Sequence, residues 1–366
     1  MLRAIFTLDY EIHGNGEGDP AALMVEPSAR LMDQFERYGA KLTIMADVAE
    51  ILKFREYKQN TGRDAYYYGA IANQLRNAVR RGHDVQLHLH ASYCNARNAE
   101  GRWVQDWSEY NFAGLPFERM NELIRTGKRY LEDLLRPVSA AYKCHAFRAA
   151  NWAVSPSRNV VRALLQNDIQ IETSVFKYGR REGIVSFDYA NAHSDLVPWP
   201  VDENDVCRKD EAGQLVEFPI YCESRWIGAF LTRNRIYRAL QSRAHRVADA
   251  SGGYSVPSKG NSRAARVVRS LSWLTRNHAW KADFNQCTGR QLVGALKRAE
   301  ARYAWLSSDL PFVLIGHSKL FTADNERSLR PFLEFVAGEK SRFGFGTFGD
   351  FKPVVLSPAR QVALAS

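Results

Sequence analysis

Strand-like apolar runs alternate with amphipathic helical stretches along most of this chain, and that rhythm limits what it can fold into. Residues 4–9, 41–45, 84–90, 145–149, 169–175, 215–220, 312–315 and 343–348 read as strands. Between them, 27–38, 47–54, 71–81, 117–135, 156–166 and 325–336 read as helices. The first helix puts Leu31, Met32 and Phe35 on one face, Asp47 stands where a helix cap belongs, and Pro137 closes the long helix before it. Two strands joined through a helix cannot form a hairpin; they pair in parallel through a crossover. About seven such units predict an α/β barrel.

Composition is compatible with a large core. Of 366 residues, 45% are apolar and 25% charged, which argues against a disordered chain. The length suggests roughly two domains, or one large barrel with an insertion. No apolar run approaches the ~20 residues that span a bilayer. The opening residues show neither a signal-type apolar stretch nor a small-residue cleavage site, so a cytoplasmic protein is expected. Cys94, Cys144, Cys207, Cys222 and Cys287 are scattered and form no CxxC, which disfavours a disulfide framework or a cysteine zinc site.

Two strands carry an unusual polar face. Thr7, Asp9 and Glu11 share one parity, while Phe6, Leu8 and Tyr10 share the other. Gln86, His88 and His90 likewise oppose Val85, Leu87 and Leu89. Side chains alternate across a strand, so each polar set lies on one face. In a parallel barrel the apolar face meets the helices, which turns the polar set inward, late in each strand, where barrel enzymes keep their sites. Carboxylates and imidazoles converging there suit a divalent metal, zinc or a similar first-row ion. The competing reading is a solvated edge strand. His317 follows an apolar strand and could stand at another strand end, or be a turn histidine. Arg148, among Phe147, Ala149 and Trp152, suits a buried carboxylate partner or a surface position beside Trp152.

In order and spacing, these pieces resemble the polysaccharide deacetylase family (NodB-homology, carbohydrate esterase family 4), over about residues 1–222 and 291–350. The opening motif is matched by Thr7-Leu8-Asp9-Tyr10-Glu11, the histidine motif by Gly82-His83-Asp84-Val85-Gln86-Leu87-His88-Leu89-His90, the arginine motif by Phe147-Arg148-Ala149, and the late histidine motif by residues 314–317. A fourth motif is poorly matched near Glu172-Thr173-Ser174-Val175. The resemblance implies a distorted (β/α)7 barrel and points toward the branch that serves lipopolysaccharide and cell-surface polysaccharide biosynthesis. It implies Asp9 as general base, Arg148 as the group that orients and ionises it, and His317 as general acid. The implied metal, zinc above others, would be held by Glu11, His88 and His90. Two positions depart from the pattern: Tyr10 stands where the family has its metal-binding carboxylate, and the usual HxxxH spacing would pair His88 with Ser92. Glu11 and His90 have the parity to replace them.

The implied activity is metal-dependent removal of an N-acetyl group from a saccharide. Alternatives are a degenerate saccharide-binding protein on the same fold and a glycoside hydrolase on a related barrel. For the latter, Asp9 and Glu11 on one strand face are too close to flank a glycosidic bond alone. A serine hydrolase lacks its motif, because Gly316-His317-Ser318 is followed by Leu320 where a glycine is required. The glycines of Gly14-Asn15-Gly16-Glu17-Gly18 do not have dinucleotide-binding spacing.

Residues 223–290 break the rhythm. They hold 13 Lys and Arg against Glu223, Asp249 and Asp283, which accounts for the whole net charge of +10. We read this stretch as a basic, largely helical insertion around a linker at 251–262, with the barrel formed by 1–222 and 291–350 and a tail at 351–366. Its arginines and aromatics suggest a saccharide substrate that is anionic or lipid-linked, and peripheral contact with an anionic inner-membrane surface. Nucleic acid is disfavoured, since no recognition module accompanies the charge.

Overall fold

A computed structural model describes residues 1–233, 235–236 and 276–351. Seven parallel strands carry the fold: β1 (Leu2–Tyr10), β2 (Leu42–Asp47), β3 (Asp84–Leu89), β4 (Ala146–Ala149), β5 (Ile171–Glu172), β6 (Val216–Glu217) and β7 (Leu310–His317). Their spatial order is β6-β5-β4-β3-β2-β1-β7. The sheet curls until its ends approach: Ile220, just past β6, bridges Val313 of β7, and Asp283 bridges Ile315. The result is an α/β fold on a strongly curled, distorted seven-stranded barrel, as the alternation predicts.

Helices α1 (Glu26–Glu36), α2 (Val48–Thr61), α3 (Tyr68–Arg80), α4 (Phe117–Leu135), α5 (Ser157–Gln166), α6 (Gly289–Tyr303) and α7 (Ala323–Gly338) accompany the strands. Their starts follow local chemistry. Asp47 accepts from Ala49 N at 3.1 Å and caps α2. Thr288 with Gln291, and Thr322 with Asn325, form reciprocal capping boxes on α6 and α7. The outward parity of β1 is packed: the Phe6 ring meets Phe35 of α1 and Phe332 of α7. The Tyr10 hydroxyl donates to Gln74 Oε1 of α3 at 2.7 Å, on the outward face.

Several elements differ from expectation. The strand expected over 169–175 shrinks to β5 and that over 215–220 to β6, because each chain leaves the ladder as it curls; the last strand is Phe343–Phe345. An antiparallel pair, Trp199–Asp202 with Asp205–Lys209, extends the sheet beyond β6. The described ends of the basic segment include a pair of strands, a short helical turn at Ile227–Phe230 and the start of α6. Cys222–Arg225 pairs antiparallel with His278–Lys281, and burial of Cys222 and Trp280 fixes the pair to the barrel. Residues 282–285 then run along β7, with Phe284 N donating to Ile315 O at 2.9 Å. The structure thus ties 278–290 to the barrel. The linker at 251–262, most of the basic segment and the tail beyond residue 351 lie outside the described residues.

Candidate active site

Register carries the polar residues to one end of the barrel. Asp9 on β1 pairs with His317 on β7, Asp47 on β2 with His88 on β3, and His88 with Arg148 on β4. All stand at or near the C-terminal ends of their strands, where neighbouring strands put these side chains side by side.

Asp9 is buried between Arg148 and His317. Arg148 Nη1 donates to Asp9 Oδ1 at 2.7 Å, and His317 Nε2 lies 3.6 Å from Oδ2. The guanidinium is fixed from behind, with its Nε donating to Thr173 O at 2.9 Å. Burial works against the Asp9 carboxylate, but the charges of Arg148, His88 and His317 outweigh it and hold the pKa below the ordinary value. His317 is held through its backbone: its N–H donates to Asn285 Oδ1 at 2.6 Å. That contact depends on Gly316. A Cβ there would stand 2.2 Å from the Phe284 ring, so only glycine lets residues 283–285 close on β7.

Glu11, His88 and His90 form the second half of the site. Glu11 Oε2 is 3.4 Å from His88 Nε2 and 3.2 Å from His90 Nδ1. Glu11 Oε1 is 2.8 Å from Lys319 Nζ. Burial opposes ionisation of Glu11, yet Lys319 and the two imidazoles keep its pKa well below the usual carboxylate range. Burial likewise disfavours charge on the imidazoles. Asp9 and Glu11 outweigh this for His88, Glu11 and Asp47 for His90, and both histidines titrate above the ordinary value.

These residues fit a divalent cation. Glu11 Oε2 is a buried oxygen with no hydrogen-bond partner, facing two imidazoles. His88 Nδ1 lies 2.8 Å from Arg148 O, and His90 Nδ1 lies 2.7 Å from Asp47 Oδ2. A partner on Nδ1 fixes the tautomer of His88 and directs its Nε2 toward Glu11 Oε2, the usual arrangement behind a metal-ligating histidine, whereas His90 turns the same Nδ1 to both Asp47 and Glu11. The donor atoms of Glu11, His88 and His90 lie within 4.8 Å of one another, and so do those of Asp47, Glu50 and His90. Ser92, at the position the HxxxH spacing would use, instead donates to Gln105 Oε1 at 2.7 Å. Tyr10, turned toward α3, takes no part.

The cleft beside these groups encloses about 190 Å³, and Asp9, Glu11, His88, His90, His317 and Lys319 line it together with Tyr110, Asn151 and Trp152. Lys281 Nζ sits 3.3 Å from the centroid of the Trp152 ring, a cation–π contact. The glycine-rich loop after β1 is pinned beneath the long loop 91–115. Trp103 N donates to Gly16 O at 3.0 Å, and Gln105 Nε2 to Gly14 O at 2.7 Å. Gly16 has φ +79°, and a Cβ there would meet Trp103 O at 2.0 Å. Among the described residues no helix is long and apolar enough to cross a membrane.

The structure brings together all six residues singled out in the sequence. Sequence reasoning missed Glu50, Lys319, Asn285 and the second role of Asp47. Asp47 had a usable signal, since it ends β2 with inward parity. Lys319 had only its place two residues after His317. Asn285 had none, because its loop reaches β7 through tertiary packing.

The sequence matches no family model, and no curated protein matches it. Several solved structures are similar in fold. A Mycobacterium smegmatis protein described as a polysaccharide deacetylase is 13% identical, with 97% of this chain and 90% of that one covered and a TM-score of 0.48. Puue allantoinase is 13% identical, covering 98% and 91%, with a TM-score of 0.47. A GH57-type branching enzyme from Pyrococcus horikoshii is 13% identical, covering 96% and 70%, with a TM-score of 0.49.

Proposed function

We propose that this protein is a metal-dependent hydrolase that removes an N-acyl group, acetyl foremost, from a saccharide. One observation carries the reading: Asp9, clamped by Arg148 and faced by His317, opens on the same small cleft as the Glu11, His88 and His90 donors. When bound, a divalent ion, zinc above others, would polarise the acyl carbonyl and make water a better nucleophile.

The chain's own residues supply the proton transfers. Arg148 keeps Asp9 ionised, so its carboxylate can take the proton of the attacking water. His317, with Nε2 3.6 Å from Asp9 Oδ2, is placed to hand a proton to the departing sugar amine. Amide cleavage requires both transfers, because an amine leaves only when protonated. The rings of Tyr110 and Trp152 in the lining of the cleft offer apolar surface for a sugar, with Lys281 Nζ over one face of Trp152. A saccharide that is anionic or lipid-linked would suit the basic segment 223–290, in keeping with a role in cell-surface polysaccharide or lipopolysaccharide biosynthesis on the cytoplasmic side of the membrane.

The test is metal content by plasma emission, followed by acetate release from N-acetylated oligosaccharides. About one ion per chain, lost in Glu11→Ala, His88→Ala and His90→Ala, together with metal-dependent acetate release, supports the reading. A chain that stays metal-free after supplementation points instead to a saccharide-binding protein on the same barrel.

A further inference from the structure

The Glu11 carboxylate is divided between two tasks. Oε2 faces the imidazoles of His88 and His90, while Oε1 is 2.8 Å from Lys319 Nζ. Lys319 is not a passing surface charge. It belongs to the tight turn Ser318–Leu320 that follows β7, its side chain is only 15% exposed, and Nζ also donates to Ile12 O at 2.9 Å. This carbonyl contact just after β1 fixes the ammonium against Oε1 of Glu11.

A cation is thus already seated on the one carboxylate of the Glu11, His88 and His90 donor set. In a cleft largely closed to water, charges a few ångströms apart interact far more strongly than in bulk solvent. A dication held by Glu11, His88 and His90 would share that carboxylate with the ammonium and feel its repulsion. Without a dication, the ammonium joins the imidazoles of His88 and His90 in compensating a carboxylate buried near Glu50.

We infer that Lys319 is a built-in counter-cation that sets the metal affinity of the centre, stabilising the metal-free site and weakening the hold on a divalent ion. The inference rests on the proposed metal site and concerns its occupancy rather than the chemistry that follows. The centre would fill only where the free ion is plentiful and would exchange its metal readily. Lys319 is a positioning residue: it acts through Glu11.

The experiment is chelator-competition titration of the full chain with Zn²⁺, and with Co²⁺ followed by its visible absorption. Wild type is compared with Lys319→Met, Lys319→Arg and His88→Ala. The expected result is at least about tenfold tighter binding in Lys319→Met. Lys319→Arg, which keeps the charge, should stay within about threefold of wild type. A second readout is thermal stability: Lys319→Met should melt lower than wild type without metal and gain more on saturation with Zn²⁺. Equal or weaker affinity in Lys319→Met, with binding in wild type abolished by His88→Ala, overturns the inference and leaves the metal site standing. Tightening in Lys319→Arg equal to that in Lys319→Met also overturns it, because charge would then not be the cause. No binding in any variant removes the metal site itself, and the inference with it.

Discussion

Arg148 Nη1 and Asp9 Oδ1 meet at 2.7 Å inside the barrel, both side chains almost wholly shielded from water. Few arrangements commit two side chains so strongly. Each buried charge depends on the other, and the pair sits beside His317 at the mouth of the cleft.

Removing one partner should therefore be severe. Arg148→Met leaves the Asp9 carboxylate buried without its cation, and a loss of about 3–5 kcal/mol of stability is expected. Urea denaturation at pH 7 measures it. A loss below about 1 kcal/mol would mean that Asp9 is not held by this contact.

The same pair fixes a pH dependence. The pKa of Asp9 is lowered on folding, as is that of Glu11, so folding favours their ionised forms. That stability is complete above the unfolded carboxylate range near pH 4 and is lost as pH falls through the lower folded values. Asp9→Asn should flatten part of the acid limb of a stability–pH curve. It should also lower turnover by ~10²–10⁴-fold while leaving metal content unchanged. Full activity in Asp9→Asn would exclude Asp9 as the base.

Tyr10 offers a contrast. It occupies the sequence position at which the polysaccharide deacetylases that the sequence resembles have a metal ligand, yet its hydroxyl bonds to Gln74 of α3. Tyr10→Phe should cost about 1 kcal/mol of stability and leave metal affinity and turnover unchanged. A drop in metal affinity, read by the same chelator competition, would return Tyr10 to the site.

Glu217 predicts the opposite pH trend from Asp9. Burial and the neighbouring Glu172 raise its pKa well above the ordinary value, and Oε2 has no hydrogen-bond partner. The folded state therefore holds a proton that the unfolded chain releases above about pH 4.5. Stability should fall as pH rises from there, by at most about 1.4 kcal/mol per pH unit, until the folded group also titrates. Glu217→Gln should remove that decline and melt higher than wild type at pH 8. Parallel melting curves across pH 5–8 for the two proteins would refute it.

Gly316 links packing to the site. Gly316→Ala would drive a methyl group into the Phe284 ring and push residues 283–285 off β7. Both stability and turnover should fall, by about 1–3 kcal/mol for the overpacking. Retained activity with the full stability loss would show that Asn285 is not needed to place His317.

The sequence by itself determined the alternation of strand and helix, and with it a parallel α/β barrel. Period-two parity along residues 7–11 and 86–90 also determined which side chains point inward, because a strand cannot turn one residue without turning its neighbours. That placed Asp9, Glu11, His88 and His90 at the mouth and Tyr10 outside it. What only the tertiary structure decided depends on register between distant strands and on loops that no local pattern encodes. Asp9 meets Arg148 across 139 residues, and Glu11 meets Lys319 across 308, through strand order and curl. Asn285 reaches His317 only because Gly316 leaves room for Phe284, and the division of the Glu11 carboxylate between a lysine and two histidines exists only once β1, β3 and β7 lie side by side. Parity is a property of one strand and is written in its residues. A charge network belongs to several strands at once, and it is set by the packing that holds them together.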